Sequence, residues 1–171
     1  MADPDFGQLY KQWVTQYYED VYRWCYRYTK DPEESMDLTQ ETFLAAFRNI
    51  HKFRYESSPK TWLLTIASHK CIKSEKRRRQ KEAWHATGTM PQDAASAESV
   101  YMRQVADESV WRAVAALKPF ERMAMILYYD ENLSYEEISQ VLGKSLAQVK
   151  NYLHLARKHV RLRLEREEKP Q

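Results

Sequence analysis

The chain reads as an all-α protein, two small helical domains joined by a flexible linker. Three observations carry this. Only 3 of 171 residues are glycine, and no segment alternates apolar and polar residues as a half-buried strand does. Apolar residues recur instead at three- and four-residue spacing through most of the chain. Between residues 83 and 98, AWHATGTMPQDAASAE, that periodicity lapses into Gly, Pro, Thr, Ser and Ala. The division that follows is a three-helix domain at 1–82, a linker at 83–100 and a four-helix domain at 101–171. A linker of this length lets the two domains move independently.

The first helix, residues 5–29, steps Phe6, Leu9, Trp13, Tyr17, Val21, Trp24 and Tyr28 along one face, and Lys30-Asp31-Pro32 breaks it. The second, 33–50, carries Leu38, Phe43, Leu44, Phe47 and Ile50, and Glu33, Glu34 and Asp37 suit its positive N-terminus. Ser57, Ser58 and Pro59 make the turn into a third helix at 60–81. There Trp62, Leu63, Ile66, Ala67 and Cys71 face inward, with Ile72 at the stripe edge. A fourth helix, 99–117, shows Val110, Val114 and Leu117. Pro119 restarts the chain into a fifth with Met123, Ile126 and Leu127.

Residues 133–161, LSYEEISQVLGKSLAQVKNYLHLARKHVR, read as two helices and a tight turn. Ser134 with Glu137, and Ser145 with Gln148, each fit a capping box. Gly143 falls where the first helix stops, with positive φ expected. This is the sequence form of a helix-turn-helix, whose second helix enters the DNA major groove. Val149, Leu153, Ala156, Val160 and Leu164 form one apolar stripe of that helix, while Gln148, Lys150, Asn151, His154, Arg157, Lys158 and Arg161 lie around the rest. Residues 144–166 hold seven Lys or Arg and one acid, Glu165. Gln and Asn suit adenine edges; Arg and Lys suit guanine or phosphate. A basic amphipathic helix with a solvated face is the competing reading, since late basic residues also complement the helix dipole. The two capping boxes occurring with the Gly turn favour DNA.

Net charge is only +3, so nucleic-acid binding rests on local distribution. Residues 1–82 carry 15 basic and 12 acidic side chains, a balance of +3; residues 101–171 carry 12 and 10, a balance of +2. The bases cluster at 70–81 and at 144–166, which suggests two DNA-facing surfaces. Cys25 and Cys71 lack metal spacing and read as buried, reduced thiols. No signal peptide and no membrane-length apolar run is present, so a cytoplasmic location is expected. His51, His69, His85, His154 and His159 are scattered, and no paired carboxylates, serine triad or phosphate loop assembles. The chain is therefore expected to be no enzyme, with no catalytic residue, metal, cofactor or small-molecule substrate. No further sensory domain is expected, and the tail EREEKPQ is expected to fray.

Three stretches together resemble bacterial sigma factors. DLTQETFLAAFRNIHKFR at 37–54 and KTWLLTIASHKCIKSEKRRR at 60–79 resemble region 2. LKPFERMAMILYYDENLSYEEISQVLGKSLAQVKNYLHLARKHVR at 117–161 resembles region 4. The two-part layout looks like the extracytoplasmic-function group. The resemblance implies that the chain binds core RNA polymerase, directs it to promoters and helps open the −10 element. It implies core docking through Asp37, Gln40 and Glu41, with Phe47 in the core. The −10 element would meet Phe53, Arg54, Tyr55, Lys60, His69, Lys70, Lys73, Lys76 and Arg77; extruded bases need aromatic or apolar pockets beside a cationic track. Trp62 and Ile66 read as core, and the KRRR run at 76–79 as a phosphate contact more than a solvated helix end. His69 stands where the family often has asparagine, which alters the expected −10 base preference. The −35 element would meet Ser145, Gln148, Lys150, Asn151, His154, Arg157 and Lys158. The partners implied are core RNA polymerase, promoter DNA and an anti-sigma factor, often membrane-anchored, for which Met90, Val100 and Met102 offer apolar contacts. Two other readings remain: a helix-turn-helix regulator binding DNA without polymerase, and a helical protein-binding adaptor.

Overall fold

The structure, a computed structural model, describes residues 5–85 and 108–167. Helix α1, Phe6–Thr29, starts at Asp5, whose carboxylate accepts from the N–H groups of Gly7 and Gln8; it ends at Lys30, in the left-handed region with φ 59°. Helix α2, Pro32–Asn49, starts at Asp31, whose side chain accepts from the Glu34 N–H, and Pro32 fills the position where no N–H is needed. A short 3-10 turn, Ile50–Lys52, leads to a loop and then to α3, Pro59–His85. The Thr61 N–H donates to Ser58 Oγ at 3.0 Å, the cap that the Ser-Ser-Pro turn supplies.

These helices form the first lobe. Val21, Trp24 and Cys25 of α1, Leu38, Phe43 and Ala46 of α2, and Leu63, Leu64, Ala67 and Cys71 of α3 close its core. Trp13, Ile50 and Phe53 make a smaller aromatic cluster at one end. The second lobe has α4, Glu108–Ala115; α5, Pro119–Tyr129; α6, Tyr135–Leu142; and α7, Leu146–Glu167. Val114, Met123, Ile126, Leu127, Ile138, Val141, Val149, Leu153 and Ala156 fill its interior and form one continuous hydrophobic cluster with the buried side chains of the first lobe. No strand occurs among the described residues.

Two expectations change. Phe47 and Leu44 are not core residues: they are 53% and 54% exposed, because Ser35, Leu38, Thr39, Thr42, Phe43 and Ala46 form the inward face of α2. Helix α3 runs past residue 81 to His85, since Ala83 and Trp84 carry no breaking signal. The two lobes also touch in this structure. Helix α6 packs against α3, and α5 against α1. Of the expected fourth helix, residues 99–107 lie outside the described residues, as do Met90, Val100 and Met102. Leu117 is buried just beyond α4, its N–H donating to the Val114 carbonyl at 3.0 Å.

Candidate nucleic-acid interface

The helix-turn-helix is built by its caps. The Glu137 N–H donates to Ser134 Oγ at 3.1 Å, and the Ser134 N–H to Glu137 Oε2 at 2.8 Å, so two orphan donors of α6 are satisfied reciprocally. Gly143 takes φ 60°, and its N–H reaches back to Gln140 and Ser139 carbonyls. The Gln148 N–H then donates to Ser145 Oγ at 3.2 Å, and the Ser145 N–H to Gln148 Oε1 at 2.9 Å, opening α7. Both capping boxes and the positive-φ glycine stand where the sequence put them. The second box sets a limit: the Gln148 acceptor is committed, which leaves its amide NH2 for a base or phosphate.

Helix α7 buries Val149, Leu153, Ala156 and Val160, and this holds Ser145, Gln148, Lys150, Asn151, His154, Arg157 and Lys158 in solvent. Arg157 has a local partner that sequence reasoning missed. Its Nε donates to Tyr129 Oη at 2.9 Å, and its guanidinium lies 5.5 Å from the Tyr128 ring centroid. Hydrogen bonding with Tyr135 and Tyr129 raises its pKa, so the charge is held firmly. The Tyr-Tyr pair at 128–129 was the available signal, since aromatic faces attract guanidinium groups.

On the first lobe, the loop after the 3-10 turn carries the aromatic candidates. Phe53 is 8% exposed, its ring centroid 5.0 Å from Trp13 and 5.5 Å from Trp62, so it supports the loop instead of facing a base. Tyr55 is the presented ring: 69% exposed, at φ 59°, edge-on to Phe53 at 4.7 Å. A bulky residue with positive φ is a backbone outlier, held here against the buried aromatic beneath it. Arg54 is exposed beside it. Along α3, His69, Lys73, Lys76 and Arg77 form one exposed strip. Lys70 leans 3.4 Å from Glu41 of α2. Lys60 stands apart from the strip, its Nζ 2.7 Å from Glu131 of the second lobe and 3.6 Å from Asp20. Trp62 and Ile66 pack partly buried against the core. In the KRRR run, Arg78 pairs with Glu34 and Glu82, and Arg79 with Glu75.

A third surface lies on α2. Asp37, Gln40 and Glu41 are exposed, and Met36, Leu44 and Phe47 extend that face with apolar area. Phe47 is braced edge-on by Tyr10 at 4.9 Å. Among the described residues no group of three His, Cys, Asp or Glu is placed to hold a metal ion, and no helix is long and apolar enough to cross a membrane.

Family models match both lobes: Sigma-70 region 2 over residues 13–82, and Sigma-70, region 4, over residues 107–160. RNA polymerase sigma factor YlaC of Bacillus subtilis is 34% identical over 145 residues, covering 83% of this chain and 84% of that one. The extracytoplasmic-function (ECF) sigma factor SigM of the same organism is 32% identical over 150 residues, covering 85% and 88%. The chain belongs to the sigma-70 family. Its relatives place it in the extracytoplasmic-function group, and it is a sigma factor for transcription initiation. Sigma factor RpoE, solved with the anti-sigma factor NepR from Bartonella quintana, shares the fold at TM-score 0.74 and 22% identity, covering 91% of this chain and 96% of that one. CnrH, solved with the cytosolic domain of CnrY, does so at TM-score 0.68 and 18% identity, covering 95% and 91%. The first lobe is thus sigma region 2, and the helix-turn-helix lobe is region 4.

Proposed function

We propose that this sigma factor divides its work among three surfaces. The exposed α2 face, with Asp37, Gln40 and Glu41 and the apolar Met36, Leu44 and Phe47, docks on core RNA polymerase. Helix α7 reads the −35 duplex through Gln148, Lys150, Asn151, His154, Arg157 and Lys158, with Ser145 at its cap. The −10 strand is held by Tyr55, Arg54 and the α3 strip of His69, Lys73, Lys76 and Arg77, with Lys70 and Lys60 alongside and Phe53 as the buried support. Residues 1–82 and 101–171 act as the two functional domains, joined through 83–100. Catalysis belongs to the polymerase; the chain supplies promoter choice and strand opening.

The observation that carries the reading is the pairing, in one chain, of a capped helix-turn-helix with an exposed aromatic and cationic strip on a separate lobe. Opening DNA requires that extruded bases be held more favourably than in the stack. An exposed ring on a rigid base, next to phosphate-binding lysines, is suited to that. Neither lobe has enough excess charge to bind promoters strongly alone, so a polymerase that fixes their spacing raises the effective concentration of the second contact. An anti-sigma factor is the expected negative regulator, acting in the cytoplasm or from a membrane anchor; RpoE, similar in fold and solved with the anti-sigma factor NepR, supports it.

The deciding experiment combines purified chain, core RNA polymerase and a promoter with a preformed bubble. Initiation that depends on both chain and core is expected. Duplex binding without any effect of core points to a stand-alone regulator, and no DNA or core response points to a protein adaptor.

A further inference from the structure

The exposed strip on α3 does not end at Arg77. The helix continues to His85, and Gln80 and Trp84 follow His69, Lys73, Lys76 and Arg77 at steps of three and four, so all six share one face. The sequence puts Trp84 in the linker; the longer helix brings it onto this face instead. Its side chain is 83% exposed, more than any other large apolar side chain among the described residues. None of the six residues is acidic, and Lys81 flanks them. The two acids on this part of α3 stand on its other side. Glu75 is buried, accepting from the Tyr28 hydroxyl and from Arg79, and Glu82 lies 3.8 Å from Arg78.

A solvated indole forgoes the burial that large aromatics gain elsewhere in the chain, so the packing of the first lobe does not explain it. Its surroundings point to what covers it. An apolar protein patch suits an indole set among apolar side chains, as Phe47 is on α2. Trp84 stands among cations instead. Ammonium and guanidinium groups take phosphates, and a flat ring beside them takes a base, whatever its identity, because every base has a π-face. We propose that Trp84 is a further strand contact, which stacks on an unpaired base and extends the strand-holding surface about 10 Å beyond Arg77. Tyr55 precedes α3 and Trp84 stands in its last turn, so the cations lie between two exposed rings along the chain. The rings hold bases and the cations hold the phosphates between them. The role of Trp84 rests on the −10 reading of that strip.

The test titrates the full chain against a fluorescent oligothymidylate at low salt, where single-strand binding is strongest. Trp84 is exposed, so its variants keep the fold, which circular dichroism checks. Trp84→Ala is expected to bind at least about fivefold more weakly, with an unchanged salt slope because no charge is removed. Trp84→Phe keeps a flat ring and should recover most of that loss. Lys73→Ala should instead lower the slope by about 0.7. Unlabelled strand is expected to quench the wild-type tryptophan emission, and Trp84→Phe to lose the quench, since Trp13 and Trp24 are buried and Trp62 and Trp111 partly so. A loss for Lys73→Ala with none for Trp84→Ala overturns the stacking role and leaves the cationic strip in place. Equal losses for Trp84→Ala and Trp84→Phe, or a quench that persists in Trp84→Phe, also overturn it. Unchanged strand affinity in Trp84→Ala with a weakened pull-down of core polymerase assigns the indole to a protein contact instead. If the wild type does not bind, or neither Lys73 nor Trp84 matters, the −10 reading of the strip falls and the stacking role with it.

Discussion

Gly143 sits at φ 60° with no atom within 4 Å of where a Cβ would stand, so an added methyl meets no neighbour. The cost of Gly143→Ala is therefore purely that of the left-handed backbone, about 1 kcal/mol. Urea unfolding of the variant should show that loss with an unchanged denaturant slope; equal stability would mean the turn readjusts. The cysteines test the core instead. Cys25 and Cys71 are both buried and free, and burial together with the neighbouring Cys25 pushes the Cys71 thiol well up from its ordinary value. Thiolate is the reactive form, so alkylation by iodoacetamide at neutral pH should be slow in the folded chain and complete at both positions in denaturant. Rapid labelling of either cysteine in native buffer, read by mass spectrometry, would contradict the packing of α1 on α3.

At the scale of elements, α7 and α2 carry separable duties. Lys150 is exposed on α7, whereas Arg157 is held by Tyr129. Lys150→Ala is expected to weaken −35 duplex binding and to lower the salt slope by about one, and adding Arg157→Ala to lower it by up to about two. A slope that does not move would remove α7 from the phosphate contacts. On α2, Asp37→Arg with Gln40→Arg should abolish core binding at unchanged helicity in a pull-down against core polymerase; retained binding would move the docking site elsewhere. These two helices were unequally legible. For α7 the caps, the glycine and one apolar stripe agree, so the sequence determines which face is buried. In α2 two apolar stripes compete: Leu38, Phe43 and Ala46 on one side, and Met36, Leu44 and Phe47 on the other. Period alone does not choose between them, and the usual burial of large aromatics points Phe47 to the wrong side. Phe53 failed in the opposite sense, since nothing local tells that Trp13, forty positions away, covers it.

For the whole molecule, what stayed illegible is the set of charges that join the lobes, because Arg122 meets Glu75 at a sequence separation of 47 and Tyr28 at 94. No periodicity encodes such a meeting; only the assembled surfaces do. The junction also decides which substitutions act together. Lys73 on α3 and Lys150 on α7 lie on different lobes. Their alanine variants should therefore reduce open-complex formation additively in free energy, within about 0.5 kcal/mol. Lys60 and Glu131 are the contrasting pair, joined at 2.7 Å across the lobes. Lys60→Ala removes a cation from the strand-holding surface, and Glu131→Ala frees that cation to join it. The second change should thus stimulate initiation only while Lys60 is present, and do nothing in its absence. A double-mutant cycle in core-dependent transcription measures this directly. Equal effects of Glu131→Ala with and without Lys60 would mean that the carboxylate acts through the fold of region 4 and not through the lysine it holds.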